Sequence, residues 1–267
     1  VTAARRGRVP QRRIAETVAE ELRVRILAEG ADRLPTQDQL VEEFGVSYPS
    51  IREALRILET EGLVTVRRGS VGGAEVHRPD GAAAAYHLGL ALQGGRVTLR
   101  DLAEGLRMME PLCAAECARR PDRAETVVAA LDANIEASAG LVEDGVAFTR
   151  TAREFHDLLV SFMPNATVRS VVSGLVALWS AQEEAWAVTV ARRGEYPSPA
   201  EAESVVRVHR RIAGEIADGD AVEAERLVRS HLAATQKLLL DRSEDGVVDA
   251  ASARARQAMR SSRGLRL

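Results

Sequence analysis

Three of the five histidines in this 267-residue chain stand where they could bind a metal. His156 lies in REFHDLL, His209 in VRVHRRIAGEI and His231 in VRSHLAATQ. A neutral imidazole nitrogen is a common ligand for zinc and other divalent ions. The Gly219-Asp220 turn divides the last two almost evenly, about ten residues each, or roughly 15 Å of helix on either side. In an antiparallel helical hairpin the two rings therefore sit at one level. Leu and Ala at neighbouring stripe positions turn them inward. Two readings stay open: a three-histidine site for a divalent metal, zinc or similar, or packed imidazoles satisfied by hydrogen bonds. His77 and His87 read as packing or solvated residues.

A second constellation lies in FGVSYPSIREALRILETEGLV, Phe44 to Val64. Ile51, Leu55 and Leu58 follow the i, i+4, i+7 spacing of one buried helix stripe. The first turn of that helix instead carries Ser47, Tyr48, Ser50 and Arg52. Arginine meets a guanine edge with two hydrogen bonds, and serine or tyrosine hydroxyls meet phosphates or bases. Arg33, Thr36 and Gln37, about the start of the preceding helix, join the expected DNA-binding set. Arg68, Gly69, Gly72 and Gly73 belong to a basic, glycine-rich hairpin tip that permits close approach to a phosphate or minor groove. The alternative is a capped surface helix with an exposed arginine. A third candidate is Arg107 in AEGLRMMEPLC, whose planar fork suits a ligand carboxylate or an ion pair with Glu110 three residues on. Trp179 and Trp186, seven residues apart, line that ligand's pocket or fill a core.

The elements that would position these residues are helices. Apolar residues make up 46% of the chain but aromatics only 3%, a balance of Ala, Leu and Val that favours helix packing over a β core. Residues 1–9 form a basic arm, with Arg5, Arg6 and Arg8, and Arg12 and Arg13 follow it. Ile14, Val18, Leu22 and Ile26 predict a first helix, Thr36 caps QDQLVEEF, and LVTVRR and AEVHR read as two short strands. Helix, helix, turn, helix and hairpin over residues 10–78 is a winged helix-turn-helix. Residues 79–97 read as a linker with a small-residue helix. Six amphipathic segments over residues 98–242 predict an antiparallel all-α bundle that binds an effector and joins two copies. From Ser243 to Leu267 the apolar period is lost, which predicts a disordered tail.

A formal net charge of −3 excludes a wholly basic nucleic-acid coat, so any DNA-binding charge must be segregated. Cys113 and Cys117, with no second pair to match, read as small buried residues. No apolar run approaches the ~20 residues that span a membrane. The expectation is a cytoplasmic protein.

The stretch RLPTQDQLVEEFGVSYPSIREALRILETEGLVTVRRGSVGGAEV resembles the DNA-binding domain of the GntR family of bacterial transcription regulators. EFHDLL followed by HRRIAGEIADGDAVEAERLVRSHL is similar to the FCD ligand-binding domain of its FadR-type branch. The resemblance implies homodimers on two-fold symmetric duplex operators, most often as repressors. It also implies a bundle in which an aspartate and three histidines hold a metal beside a small carboxylate effector. The histidines align, whereas the aspartate position is Ala152. Tyr48 and Asp38 stand where arginines are common, which implies a different operator, with the basic arm supplying phosphate contacts. Two rivals are a metal-dependent hydrolase carrying a three-histidine site on a DNA-recruiting domain and a non-enzymatic helical adaptor.

Overall fold

The computed structural model describes residues 11–67, 73–77, 81–241 and 246–251. The chain divides into two compact units, Val1–Pro79 and Asp80–Leu267.

In the first unit, α1 spans Gln11–Leu27, α2 Gln37–Phe44 and α3 Tyr48–Thr60, followed by β1 Val64–Arg67 and β2 Gly73–Val76. Thr36 starts α2 with a reciprocal cap: its hydroxyl accepts from Gln39 N, and the Gln39 side chain accepts from Thr36 N. Gly45, at φ 62°, ends α2 in the left-handed conformation that sets the sharp turn into α3. Leu22, Leu40, Ile51 and Leu58 are fully buried between the three helices. The strands pair antiparallel, Val64 with Val76 and Arg67 with Gly73. Arg33 forms a bridge to Glu75, and Leu34 N donates to Ala74 O at 3.2 Å, so the loop before α2 is tied to the hairpin. Arg68, Gly69 and Gly72, expected at the hairpin tip, lie outside the described residues.

The second unit contains α4 Gly81–Gly94, α5 Leu99–Arg119, a π-helical turn Arg123–Val128 continuing as α6 Ala129–Ala139, α7 Gly145–Ser161, α8 Ala166–Arg192, α9 Pro199–Asp218 and α10 Ala221–Leu240. Its apolar residues form two clusters. One joins Leu131, Phe155, Leu159, Ile212 and Leu232; the other joins Leu102, Leu106, Val176, Leu178 and Trp179. Pro111 sits inside α5 and lacks the N–H that would bond the Arg107 carbonyl. Arg229 Nη1 supplies that missing donor at 2.8 Å.

Two boundary expectations need correction. The helix expected as a linker, α4, packs on α8 inside the second unit: Ala85 is buried, and a Cβ at Gly89 would stand 3.2 Å from Leu178 Cδ1. The expected disordered tail is ordered over residues 246–251. Leu99 N donates to Gly246 O at 2.7 Å, Val248 N to Val97 O at 3.0 Å, and Val248 is fully buried. The Gln182 amide bonds the Asp249 backbone both ways, and Ala250 N donates to Gln93 Oε1. Buried Val248 and Ala250 and a few hydrogen bonds to the strap's backbone hold it, a pattern that leaves no helical period. The rest of the expected tail and the basic arm through Pro10 lie outside the described residues.

Candidate functional site

His156 on α7, His209 on α9 and His231 on α10 converge in the second unit, all at most 5% exposed. His209 Nε2 lies 3.1 Å from His231 Nε2, which lies 3.3 Å from His156 Nε2. One ligand atom from each ring falls within 4.8 Å of the others. Tetrahedral zinc, with Zn–N bonds of 2.0–2.1 Å, places its ligand nitrogens about 3.3 Å apart, which the two separations to His231 match. Desolvation pushes all three imidazoles below their ordinary range, His231 to about 3 and the other two well down, so they face one another as neutral rings. Neutrality is what a metal requires of them. The level match between α9 and α10 agrees with the spacing about the Gly219 turn.

Glu110, fully buried on α5, bonds His156 Nδ1. With Nδ1–H donating to the carboxylate, the His156 Nε2 lone pair faces the other two rings, the outer-shell arrangement that orients a metal ligand. Burial raises the Glu110 carboxyl to about 7. Phe155 stacks on the His209 ring, 3.9 Å between centroids and 8° between planes, fixing that ring from behind. Sequence reasoning paired Glu110 with Arg107 and missed its place beside His156, although it interrupts an apolar stripe of Leu106, Cys113 and Cys117, all buried.

A cleft opens over the three histidines, lined among others by Thr149, Ala152, Arg153, Glu183, Trp186, Tyr196 and Thr235. Arg153 is 3% exposed; its Nε donates to Ser180 Oγ at 3.1 Å and lies 3.6 Å from Glu183 Oε2. Its Nη2 is buried without a hydrogen-bond partner among the described residues, and so is Trp186 Nε1. Two residues of the cleft lining thus carry a buried donor without an acceptor among the described residues, a combination that suits an anionic, acceptor-rich ligand. Tyr196 closes one side through its bond to Thr149, and burial lifts its phenol to about 12. Ala152, at the position of the absent aspartate, forms part of the wall.

Arg107 is elsewhere. It donates to Gln236 Oε1 at 3.0 Å and lies 3.8 Å from Glu104, and it neither lines the cleft nor pairs with Glu110. Among the described residues the arginine that lines the cleft is Arg153, not Arg107, because the α5 face that meets the histidines is the one bearing Glu110. The two tryptophans also divide. Trp186 lines the cleft, whereas Trp179 is wholly buried and donates to Glu183 Oε2 at 2.9 Å.

In the first unit, Arg52, Tyr48 and Arg33 are exposed, and Thr36 and Gln37 are half-buried. Arg52 has no side-chain partner among the described residues. Ser47 precedes α3 and is exposed, but Ser50 is 2% exposed with its hydroxyl 3.1 Å from Ser47 Oγ. Ser50 therefore shares the inward face with Ala54 and Leu58 and is withdrawn from the DNA-facing set. Gly73 opens β2.

The family model described as bacterial regulatory proteins, gntR family, matches residues 10–72, and the FCD domain model matches 101–234. An HTH-type transcriptional regulator of Mycobacterium tuberculosis is 30% identical over 234 residues, covering 86% of this chain and 89% of its own length. This chain belongs to the GntR family. The HTH-type transcriptional repressor NanR of Cronobacter sakazakii is 29% identical to this regulator over 244 residues, 85% of this chain and 86% of its own. Mce2R of M. tuberculosis is 26% identical over 238 residues, covering 84% and 90%. The solved structure of Streptococcus agalactiae GntR superposes with a TM-score of 0.60 at 22% identity, covering 84% of this chain and 99% of that one, a likeness of fold. The winged helix-turn-helix and helical FCD domain expected from the sequence are thus present. The chain is a GntR-type transcription regulator, and the family consists of regulators rather than enzymes. No helix among the described residues is long and apolar enough to cross a membrane.

Proposed function

We propose that this regulator is a homodimeric repressor of a two-fold symmetric operator whose FCD domain senses a small carboxylate through a divalent metal. The observation that carries the sensing half is the convergence of three neutral histidine rings through their Nε2 atoms beneath a cleft lined by Arg153, whose buried Nη2 lacks a hydrogen-bond partner among the described residues. His156, His209 and His231 would hold the metal, which supplies a Lewis-acid anchor for a ligand oxygen. Ala152 contributes no ligand atom, so coordination is completed by water or by the effector. Arg153 then takes the effector's anionic end, and Trp186 Nε1 adds a second donor. Glu110 holds the His156 ring in its ligating orientation.

The DNA-binding half rests on α3, whose outer face exposes Tyr48 and Arg52 near its start, with Arg52 for a base edge. One winged domain buries too little DNA surface for tight discrimination, so two copies reading paired half-sites are needed. The relatives named repressors support the sign of regulation.

The test uses the full-length protein and an operator recovered by selection from random duplexes. Light scattering should report a dimer. A panel of small mono- and dicarboxylates should contain members that weaken operator binding with zinc or manganese present and lose that effect with a chelator. Coupling is reciprocal, so an active carboxylate must also tighten metal binding by the same factor. Ala152→Asp should tighten the metal and blunt the carboxylate response by filling the open position. Metal-free protein whose carboxylate response ignores the chelator would make the histidines packing residues.

A further inference from the structure

Tyr48 opens α3 with 47% of its surface exposed, and its hydroxyl donates to Asp38 Oδ1 at 3.0 Å. Asp38 lies in the first turn of α2 and is also exposed. The bond therefore joins the first turns of the two helices that form the helix-turn-helix. A phenol offers one O–H donor and accepting lone pairs, whereas an ionised carboxylate only accepts. Asp38 keeps the Tyr48 phenol protonated, lifting it above its ordinary range. With that proton committed to Asp38, the pair shows only acceptors to whatever approaches from outside.

Acceptors select sharply among the groups of a DNA duplex. Phosphate oxygens, guanine N7 and O6, and thymine O4 are themselves acceptors and gain nothing from such a pair. The donors in the major groove are the exocyclic amines, adenine N6 and cytosine N4. Arg52 lies four residues after Tyr48, one turn on along the same face, and carries only donors. The two residues thus have opposite preferences side by side.

We infer that Tyr48 and Asp38 form a base-selecting pair that accepts a hydrogen bond from an exocyclic amine, adenine N6 or cytosine N4, at one position of each half-site. This rests on the reading that α3 enters the major groove. Beside it, Arg52 takes guanine, so the pair and the arginine specify neighbouring bases of unlike character. Neither Tyr48 nor Asp38 holds the phosphate backbone.

The test measures binding of the full-length protein to its selected operator and to duplexes lacking one exocyclic amine. Each cytosine of the half-site is replaced in turn by 2-pyrimidinone and each adenine by purine. At one position the wild type should lose about tenfold in affinity, the effect of one well-placed hydrogen bond. Tyr48→Phe should bind the natural and analogue duplexes equally, with an unchanged melting temperature because the ring is exposed. Asp38→Asn adds a donor and should move the preference at that position toward guanine or thymine. Wild-type indifference to every analogue, or a preference retained in Tyr48→Phe, overturns the pair. If sequence-specific binding is lost in Arg52→Ala while no analogue matters, the pair alone fails. If no duplex is enriched, the groove reading falls with it.

Discussion

The α3 surface and the histidine cleft solve recognition in opposite ways. Arg52 and Tyr48 lie exposed on a small domain whose core is made by other residues, Ile51, Leu55 and Leu58, on the inner face of the same helix. The histidines, Glu110 and Arg153 are themselves part of the interior. Residues on an exposed surface can change without unsettling the fold. A buried polar group cannot, because each one left unpaired costs about 1–3 kcal/mol. Substitutions at α3 should therefore separate binding from stability, and substitutions under the cleft should mix them.

The largest effect is expected at His209. His209→Ala removes one of three ligand atoms and should weaken divalent-metal binding by at least about a hundredfold, beyond the 10–100-fold typical of outer-shell changes. It also leaves Phe155 facing a void, so some stability should go with it. Competition against a chromogenic chelator, paired with thermal melts with and without metal, reads both. Undiminished metal affinity would remove His209 from the site.

Next comes Glu110→Gln. The amide keeps shape and burial but exchanges the carboxylate that accepts from His156 Nδ1. Metal affinity should fall about 10–100-fold, while the fold survives. A drop in melting temperature with no change in metal affinity would make Glu110 a packing partner of His156 only.

At the exposed surface, Arg52→Ala should cost about 1–3 kcal/mol of specific operator binding, the value of one bidentate base contact. Its melting temperature should not move, since Arg52 has no side-chain partner among the described residues. Filter binding at several salt concentrations separates this loss from a phosphate contact, which would instead flatten the salt dependence. A stability loss as large as the binding loss would erase the contrast between the two regions.

What could be read from the sequence follows the same divide. Periodicity and capping are local, so Thr36, Gly45, the α3 stripe and the level of His209 and His231 about Gly219 were all legible. Polar burial is set by partners far along the chain, and there the reading slipped. Arg107 and Arg153 look alike in sequence, yet one pairs with Gln236 and the other lies 3% exposed beneath the cleft. A signal was present: Thr149, Arg153, His156 and Val160 follow one helical stripe, so an arginine shared the face of the candidate ligand. Ser50 carried a similar cue, standing four residues before Ala54 and eight before Leu58. The strap at 246–251 offered none, because its partners at Val97 and Gln182 come from distant turns of the chain.

The smallest predicted effect concerns that strap and uses α8, the helix that carries Gln182 and also Glu183 and Trp186 of the cleft wall. Gln182→Ala removes two hydrogen bonds to the Asp249 backbone, one donated at 2.8 Å and one accepted at 3.2 Å. Each is worth about 1 kcal/mol net, and water entering the loosened strap can replace part of it, so a loss of about 1 kcal/mol in unfolding free energy is expected. Denaturant titration at fixed metal concentration measures it. Metal and carboxylate affinities should stay where they were, because Glu183 is held separately by Trp179 and Arg153. If they fall together with stability, the strap positions the cleft wall through α8, and the boundary of the sensing site must be moved outward to include residues 246–251.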